Sequence, residues 1–178
     1  MKYRTIVADP PWEYPEGFAL GPGHGHLEQR PLPYRGMTLD AISELPVRDL
    51  ADKNCRLFLW TTNRYLRDAF AITEAWGFKY RQTLVWHKID ANLPASIAPN
   101  SAEFVLVATL GTPPRLATLP SAVIATPRSG GHSAKPEMWL DYFESVSPGP
   151  RLEMFARRNR LGWDTWGDEA LNHIDLAT

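Results

Sequence analysis

The sequence predicts an α/β layer fold with a mostly parallel sheet, and three observations carry that expectation. Apolar runs of strand length recur at 5–8, 56–60, 83–86, 103–109, 122–126 and 151–155. They are nearly continuous rather than alternating, as in strands buried on both faces. Helical patterns lie between them, and alternation of strand and helix favours a parallel sheet joined by crossovers. Ligands of such sheets bind beyond the carboxyl ends of the strands.

Each element has a local reason. Thr5-Ile6-Val7-Ala8 is β-branched and small, and the run stops at Asp9. "TLDAISEL" offers Thr38 as a helix N-cap and sets Leu39, Ile42 and Leu45 on one face. "RYLRDAFAITEAWGF" repeats apolar residues at helical spacing and ends at Gly77. "SAKPEMWLDYFESVSPG" places Pro136 near a first turn and breaks at Ser147-Pro148-Gly149. Two stretches fit no element. Residues 15–36 are rich in Gly and Pro and of a length typical of a lid, a binding loop or a disordered stretch, and 125–135 form a Gly-Ser loop leading into a helix.

The totals exclude several classes. A chain of 178 residues, 44% hydrophobic and 22% charged, fits one soluble domain spanning 1–178. No apolar stretch is long enough to span a bilayer, and the first residues lack the apolar core of a signal peptide. One cysteine, Cys55, permits neither an intrachain disulfide nor a cysteine-based zinc site, so a reducing cytoplasm is expected. A net charge of −1 rules out coating nucleic acid by charge alone.

Familiar nucleotide signatures are missing. No G-x-x-x-x-G-K-[ST] occurs, and "GPGHG" neither follows a strand nor opens a helix. His24 and His26 have no third ligand nearby, so no metal is expected. "DPPW" is different. Asp9 and the Pro10 carbonyl are acceptors, while two prolines add no N–H and fix their backbone angle. An acceptor-only lip suits a donor-only group such as an exocyclic amine. The amine of adenine is a poor nucleophile, because its lone pair is delocalised into the ring. Acceptors on both its hydrogens favour a pyramidal nitrogen with the lone pair aimed outward. Trp12 or Tyr34 is then a candidate to hold the base by stacking.

"ADPPWEY", "LPYRGM", "RLFLWTTNR", "HSAKPE", "SPGPRLEMFARR" and "GWDTWGDE" occur in that order from Arg4 to Glu169. As an ordered set they resemble the N6-adenine methyltransferases related to the catalytic subunit of the eukaryotic mRNA adenosine methylase. The resemblance implies a Rossmann-like methyltransferase fold in permuted order, with the catalytic strand before the cofactor strand. It also implies S-adenosylmethionine as cofactor. Asp9, Pro10, Pro11 and Trp12 match the catalytic motif, and Tyr34 matches a tyrosine that packs on the target base. Lys135, Glu153, Arg157 and Asn159 are placed beside the cofactor, with Lys135 pairing its carboxylate. Asp168 and Glu169, where the family often has amides, match the pair that holds the ribose hydroxyls.

The sequence shows neither the N-terminal cofactor-binding segment nor the zinc-finger module of the eukaryotic relatives, and no separate target-recognition domain. It resembles the small bacterial and phage members, for which DNA is the commoner substrate. Arg157, Arg158 and Arg160, with Arg128 and Lys135 on another loop, form the clearest basic cluster, and Arg128 is assigned to substrate. The same reaction on RNA, or a catalytically silent relative that binds nucleic acid or a partner, remain the alternatives. A homodimer or a second subunit is left open.

Overall fold

Strand β1 (Tyr3–Ala8) lies inside the sheet, not at its margin, and this placement sets the site. The computed structural model describes residues 1–13, 36–91, 97–128, 134–167, 174 and 176. Along the chain follow α1 (Leu39–Ser43), α2 (Val47–Leu50), β2 (Ala51–Thr62), α3 (Leu66–Ala75), β3 (Lys79–Lys88) and β4 (Ala102–Leu110). Then come β5 (Val123–Thr126), α4 (Met138–Val146), β6 (Arg151–Met154) and β7 (Asp164–Trp166). The strands form one sheet in the order β5-β3-β4-β2-β1-β6-β7.

The sheet is mostly parallel, as expected. β1 runs parallel to β2 and β6, β6 to β7, and β3 to β5. Only β4 is reversed, antiparallel to both β2 and β3. Its reversal has a simple cause. No helix lies between β3 and β4 among the described residues, and a parallel return needs a crossover, usually helical.

The strand residues alternate between two cores. Ile6, Ala8, Leu57 and Leu59 pack with Ile42, Val47, Ala69, Ile72 and Trp76 from α1, α2 and the α3 region. Val7, Phe58, Trp60, Leu84 and Trp86 face the other way, onto Trp139, Leu140 and Phe143 of α4. The runs of β1, β2 and β4 are therefore strands buried on both sides, whereas β3 and the edge strand β5 bury only alternate apolar residues, Leu84, Trp86 and Ile124, on the α4 side. A nine-residue helix such as α4 is too short to persist alone. Burial of Trp139, Leu140, Phe143 and Val146, at about 2 kcal/mol each, holds it in place.

The caps behave as the sequence suggests. The Thr38 hydroxyl accepts from the Ala41 N–H at the start of α1, and Gly77 takes a φ of +79° after α3. No helix among the described residues is long and apolar enough to cross a membrane.

Candidate active site

Because only β4 is reversed, the carboxyl ends of the other strands share one edge with the start of β4. Asp9 leaves β1 at that edge, near the middle of the sheet. Lys88 closes β3 there, Glu103 lies at the head of β4, and Lys135 arrives on the segment before α4. Glu153 pairs in register with Val7, so it lies on the α4 side, where Val7 packs.

These side chains form a line of alternating charge. Lys135 Nζ donates to Asp9 Oδ2 at 2.8 Å and lies 3.2 Å from Glu103 Oε2. Lys88 Nζ donates to Glu103 Oε1 at 3.0 Å. Indole rings back both lysines, Trp60 at 5.2 Å from Lys135 Nζ and Trp86 at 5.6 Å from Lys88 Nζ. Burial pushes the Lys135 ammonium down, but Asp9 and Glu103 outweigh it and hold its pKa above the ordinary lysine range. Burial pushes the Glu103 carboxyl up, yet Lys135 and Lys88 leave it below the usual value. Asp9 is raised by burial, against the pull of Lys135.

The turn after Asp9 straddles the sheet edge. The Pro10 carbonyl accepts from the Trp12 N–H at 2.8 Å, and the Pro11 carbonyl accepts from the Met37 N–H at 2.8 Å. One lone pair of Pro10 is therefore engaged within the turn, and a carbonyl has a second. Asp9 reaches toward the α4 side. Trp12 goes to the opposite core, only 4% exposed and stacked on Tyr65 with centroids 5.1 Å apart. Its ring is an anchor for the turn, unlike the base platform that the sequence suggested. A cavity of about 520 Å³ lies on this other side, lined by Glu13, Met37, Thr38, Leu39, Asp40 and Tyr65. Asp9, Lys135 and Glu153 do not line it.

On the β6 side, Glu153 Oε2 is buried without a hydrogen-bond partner among the described residues. Burial, then the charge of Asp9, pushes the Glu153 carboxyl up to about 7. Phe155 follows β6 with a φ of +63°, which costs energy in a bulky residue. The Ala156 N–H donates to the Trp166 carbonyl at 3.0 Å and holds the exits of β6 and β7 together. At Gly167 a Cβ would lie 2.3 Å from the Ala156 oxygen, so only glycine fits. The Asn159 side-chain amide, on the connection after β6, donates to Thr165 Oγ1 of β7 at 3.0 Å. The positive charge of Arg157 reaches Asp9.

The expected basic cluster is partly neutralised. Arg158 pairs with Glu137, and Arg160 with Asp141 and Glu144. Arg128, exposed beyond β5, pairs with Asp90 at 3.4 Å. Tyr34, Asp168, Glu169, His24 and His26 lie outside the described residues. Among the described residues no group of three His, Cys, Asp or Glu side chains could hold a metal ion. The structure thus brings together Asp9, Lys135, Glu153 and the charge of Arg157. Sequence reasoning missed Lys88 and Glu103. Their signal was a charged residue bounding an otherwise apolar strand.

The MT-A70 family model matches residues 3–169, nearly the whole chain. The chain belongs to the MT-A70 family. Its seven-stranded sheet is the Rossmann-like methyltransferase fold of that family. The chain is 32% identical over 196 residues to the type II methyltransferase M.MunI of Mycoplasma sp, covering 99% of this chain and 82% of that protein. It is 27% identical to the N(6)-adenosine-methyltransferase catalytic subunit METTL3 of Homo sapiens, covering 94% of this chain and 28% of that one. With the N(6)-adenine-specific methyltransferase METTL4 of Mus musculus the identity is 26%, over 97% of this chain and 39% of the relative. This MT-A70 chain therefore spans well under half the length of each of these two mammalian relatives.

Proposed function

We propose that this chain transfers a methyl group from S-adenosylmethionine to the exocyclic N6 amine of adenine in DNA. The observation that carries the reading is a strand-end carboxylate, Asp9, fixed by Lys135 near a buried acceptor on Glu153 that has no partner among the described residues. Family membership supports the chemistry. Similarity to M.MunI over most of both chains favours DNA, and the adenosine-methylating relatives make RNA the second reading.

The cofactor's methionine end carries an ammonium and a carboxylate, and its ribose carries hydroxyls. Glu153 Oε2, an acceptor with no donor among the described residues, fits the ammonium or a hydroxyl, and the positive charge of Lys135 fits the carboxylate. Arg157 and Asn159, after β6, and Asp168 and Glu169, after β7 in sequence, would complete the hold, with the last two on the ribose. Bound there, the cofactor supplies an electrophilic methyl carried on a sulfonium.

The chain's own work is to prepare the amine. Asp9 and the Pro10 carbonyl accept the two N6 hydrogens, which localises the nitrogen lone pair. That pair forms the new N–C bond, the proton lost from nitrogen can pass to the Asp9 carboxylate, and the leaving electrons stay on sulfur. Pro10 and Pro11 keep the acceptors rigid, and Trp12 pins the turn against Tyr65. Tyr34 remains the candidate base platform, with Arg128 on a substrate phosphate. A base within a duplex must first be flipped out, at a cost of a few kcal/mol. Such displacement depends chiefly on positioning. One domain over 1–178 suffices for these roles, in a reducing cytoplasm, alone or with a second subunit.

Initial rates with labelled cofactor on matched single-stranded DNA, duplex DNA and RNA test the reading. Incorporation into adenine N6 of DNA is expected. A rate on RNA clearly above both DNA forms moves the substrate to RNA, and cofactor binding without any transfer points to a silent relative.

A further inference from the structure

We propose that Lys88 and Glu103 are positioning residues for methyl transfer, acting on Asp9 through Lys135. The inference rests on the reading of Asp9 as the acceptor of the adenine amine. Its basis is the unbroken line Asp9–Lys135–Glu103–Lys88, in which each contact is 3.2 Å or shorter.

A lysine ammonium on a four-carbon stem is a mobile point charge, and ordering it costs rotamer entropy. Asp9 alone is a poor anchor for it, because the Asp9 side chain is 31% exposed and water competes for its oxygens. Glu103, at 13%, holds the ammonium from the other side. A carboxylate so buried needs more than half a lysine to balance it, and Lys88, at 8%, supplies the rest. The Trp60 and Trp86 rings wall off the alternatives.

The sheet explains the reach of the line. β4 is the one reversed strand, so its head lies at the catalytic edge, and Glu103 stands opposite both Thr62 of β2 and Trp86 of β3. Lys88 is two residues beyond Trp86, on the same face. Two positive and two negative groups cancel. A salt-bridge line inside a core can often be replaced by apolar residues without loss. This one ends on the carboxylate that meets the substrate, so its geometry becomes the geometry of the acceptor.

The test is the pH dependence of kcat for the full chain, in the parent and in K88M, E103Q and K88R. Asp9 is faced by Lys135 from the segment before α4, by Glu103 from β4, by Glu153 from β6 and by Arg157 from beyond β6. K88M leaves two carboxylates sharing one ammonium, so the acid limb of kcat should move up by about one unit. E103Q removes the negative charge that opposes ionisation of Asp9, so the limb should move down. Both variants should lower kcat about tenfold, with KM for the oligonucleotide within about threefold, as expected for a displaced acceptor. K88R keeps the charge and should restore the parental limb.

Titration of the Asp9 carboxyl carbon by NMR, assigned with D9N and recorded without nucleic acid or cofactor, should show the same two opposite shifts. If K88M does not fold, the downward shift in E103Q and the parental limb in K88R decide. A purely structural role would lower melting temperatures without moving the limbs in opposite directions, and that result overturns the proposal. A parent that methylates no adenine while the Asp9 titration shifts as expected overturns the functional reading and leaves the line intact.

Discussion

Asp9 meets two demands that pull apart. It must end a buried strand, and it must keep a carboxylate able to accept hydrogen bonds. Lys135 reconciles them at 2.8 Å. Asp9→Ala should reduce methyl transfer at least a hundredfold, the usual scale for a hydrogen-bonding group at a reacting centre. Cofactor-dependent incorporation measures it, and a rate within about threefold of the parent would show that Asp9 is not catalytic. Glu153 gives a second prediction, in stability. Its carboxyl is raised from 4.5 to about 7, so between those values the folded chain binds more protons than the unfolded one. Stability therefore falls as pH rises through that window and levels off above it. Glu153→Gln has no such proton to lose. Its melting temperature relative to the parent should climb from about pH 4.5 to about pH 7, and a constant difference would refute the shift. Asp9, Lys135 and Glu153 could be named from the sequence because motif and resemblance mark them. Lys88 and Glu103 were missed, because only the pairing of reversed β4 between β2 and β3 brings Glu103 to Lys135 and Lys88 to Glu103.

At the scale of elements, the central strands were legible because burial on two faces writes a continuous apolar run, and the long helices because apolar residues recur at helical spacing. β7 and α2 were not. Three and four residues are too few to show a period. In sequence β7 nonetheless stands just before Asp168 and Glu169, the pair proposed for the ribose. Its end is pressed so closely on the β6 exit that a methyl group at Gly167 would meet the backbone of Ala156. Gly167→Ala should cost about 1–3 kcal/mol of stability by overpacking. It should also weaken S-adenosylhomocysteine binding by calorimetry, since Asp168 and Glu169 are carried on the same backbone. Unchanged affinity at a lowered melting temperature would separate those residues from the cofactor.

For the whole molecule, net charge and ion pairing limit how nucleic acid is held. The net charge is −1, and Arg128, Arg158 and Arg160 already pair with carboxylates. About three or four phosphates can be neutralised at once, which gives a slope of log affinity against log salt near −3. Binding to a fluorescent oligonucleotide between about 50 and 200 mM salt tests it, and a slope steeper than about −6 would reveal a basic surface outside the described residues.

The pairing of β1 with β6 has a consequence for how the chain is made. Residues 5–8 find their partners only at 151–154, so one flank of the first strand waits while most of the polypeptide is synthesised. Closing so long a loop is entropically slow, whereas the β2, β3 and β4 pairings close over shorter separations. Pulse-labelled hydrogen exchange during refolding should protect amides of β2–β4 before those of β6, and simultaneous protection would contradict this order. Asp9 and Glu153 belong to the two strands that meet late. A nascent chain would then carry its acceptor carboxylate well before the place for the methyl donor exists, and would acquire both halves of its chemistry in a single closing event.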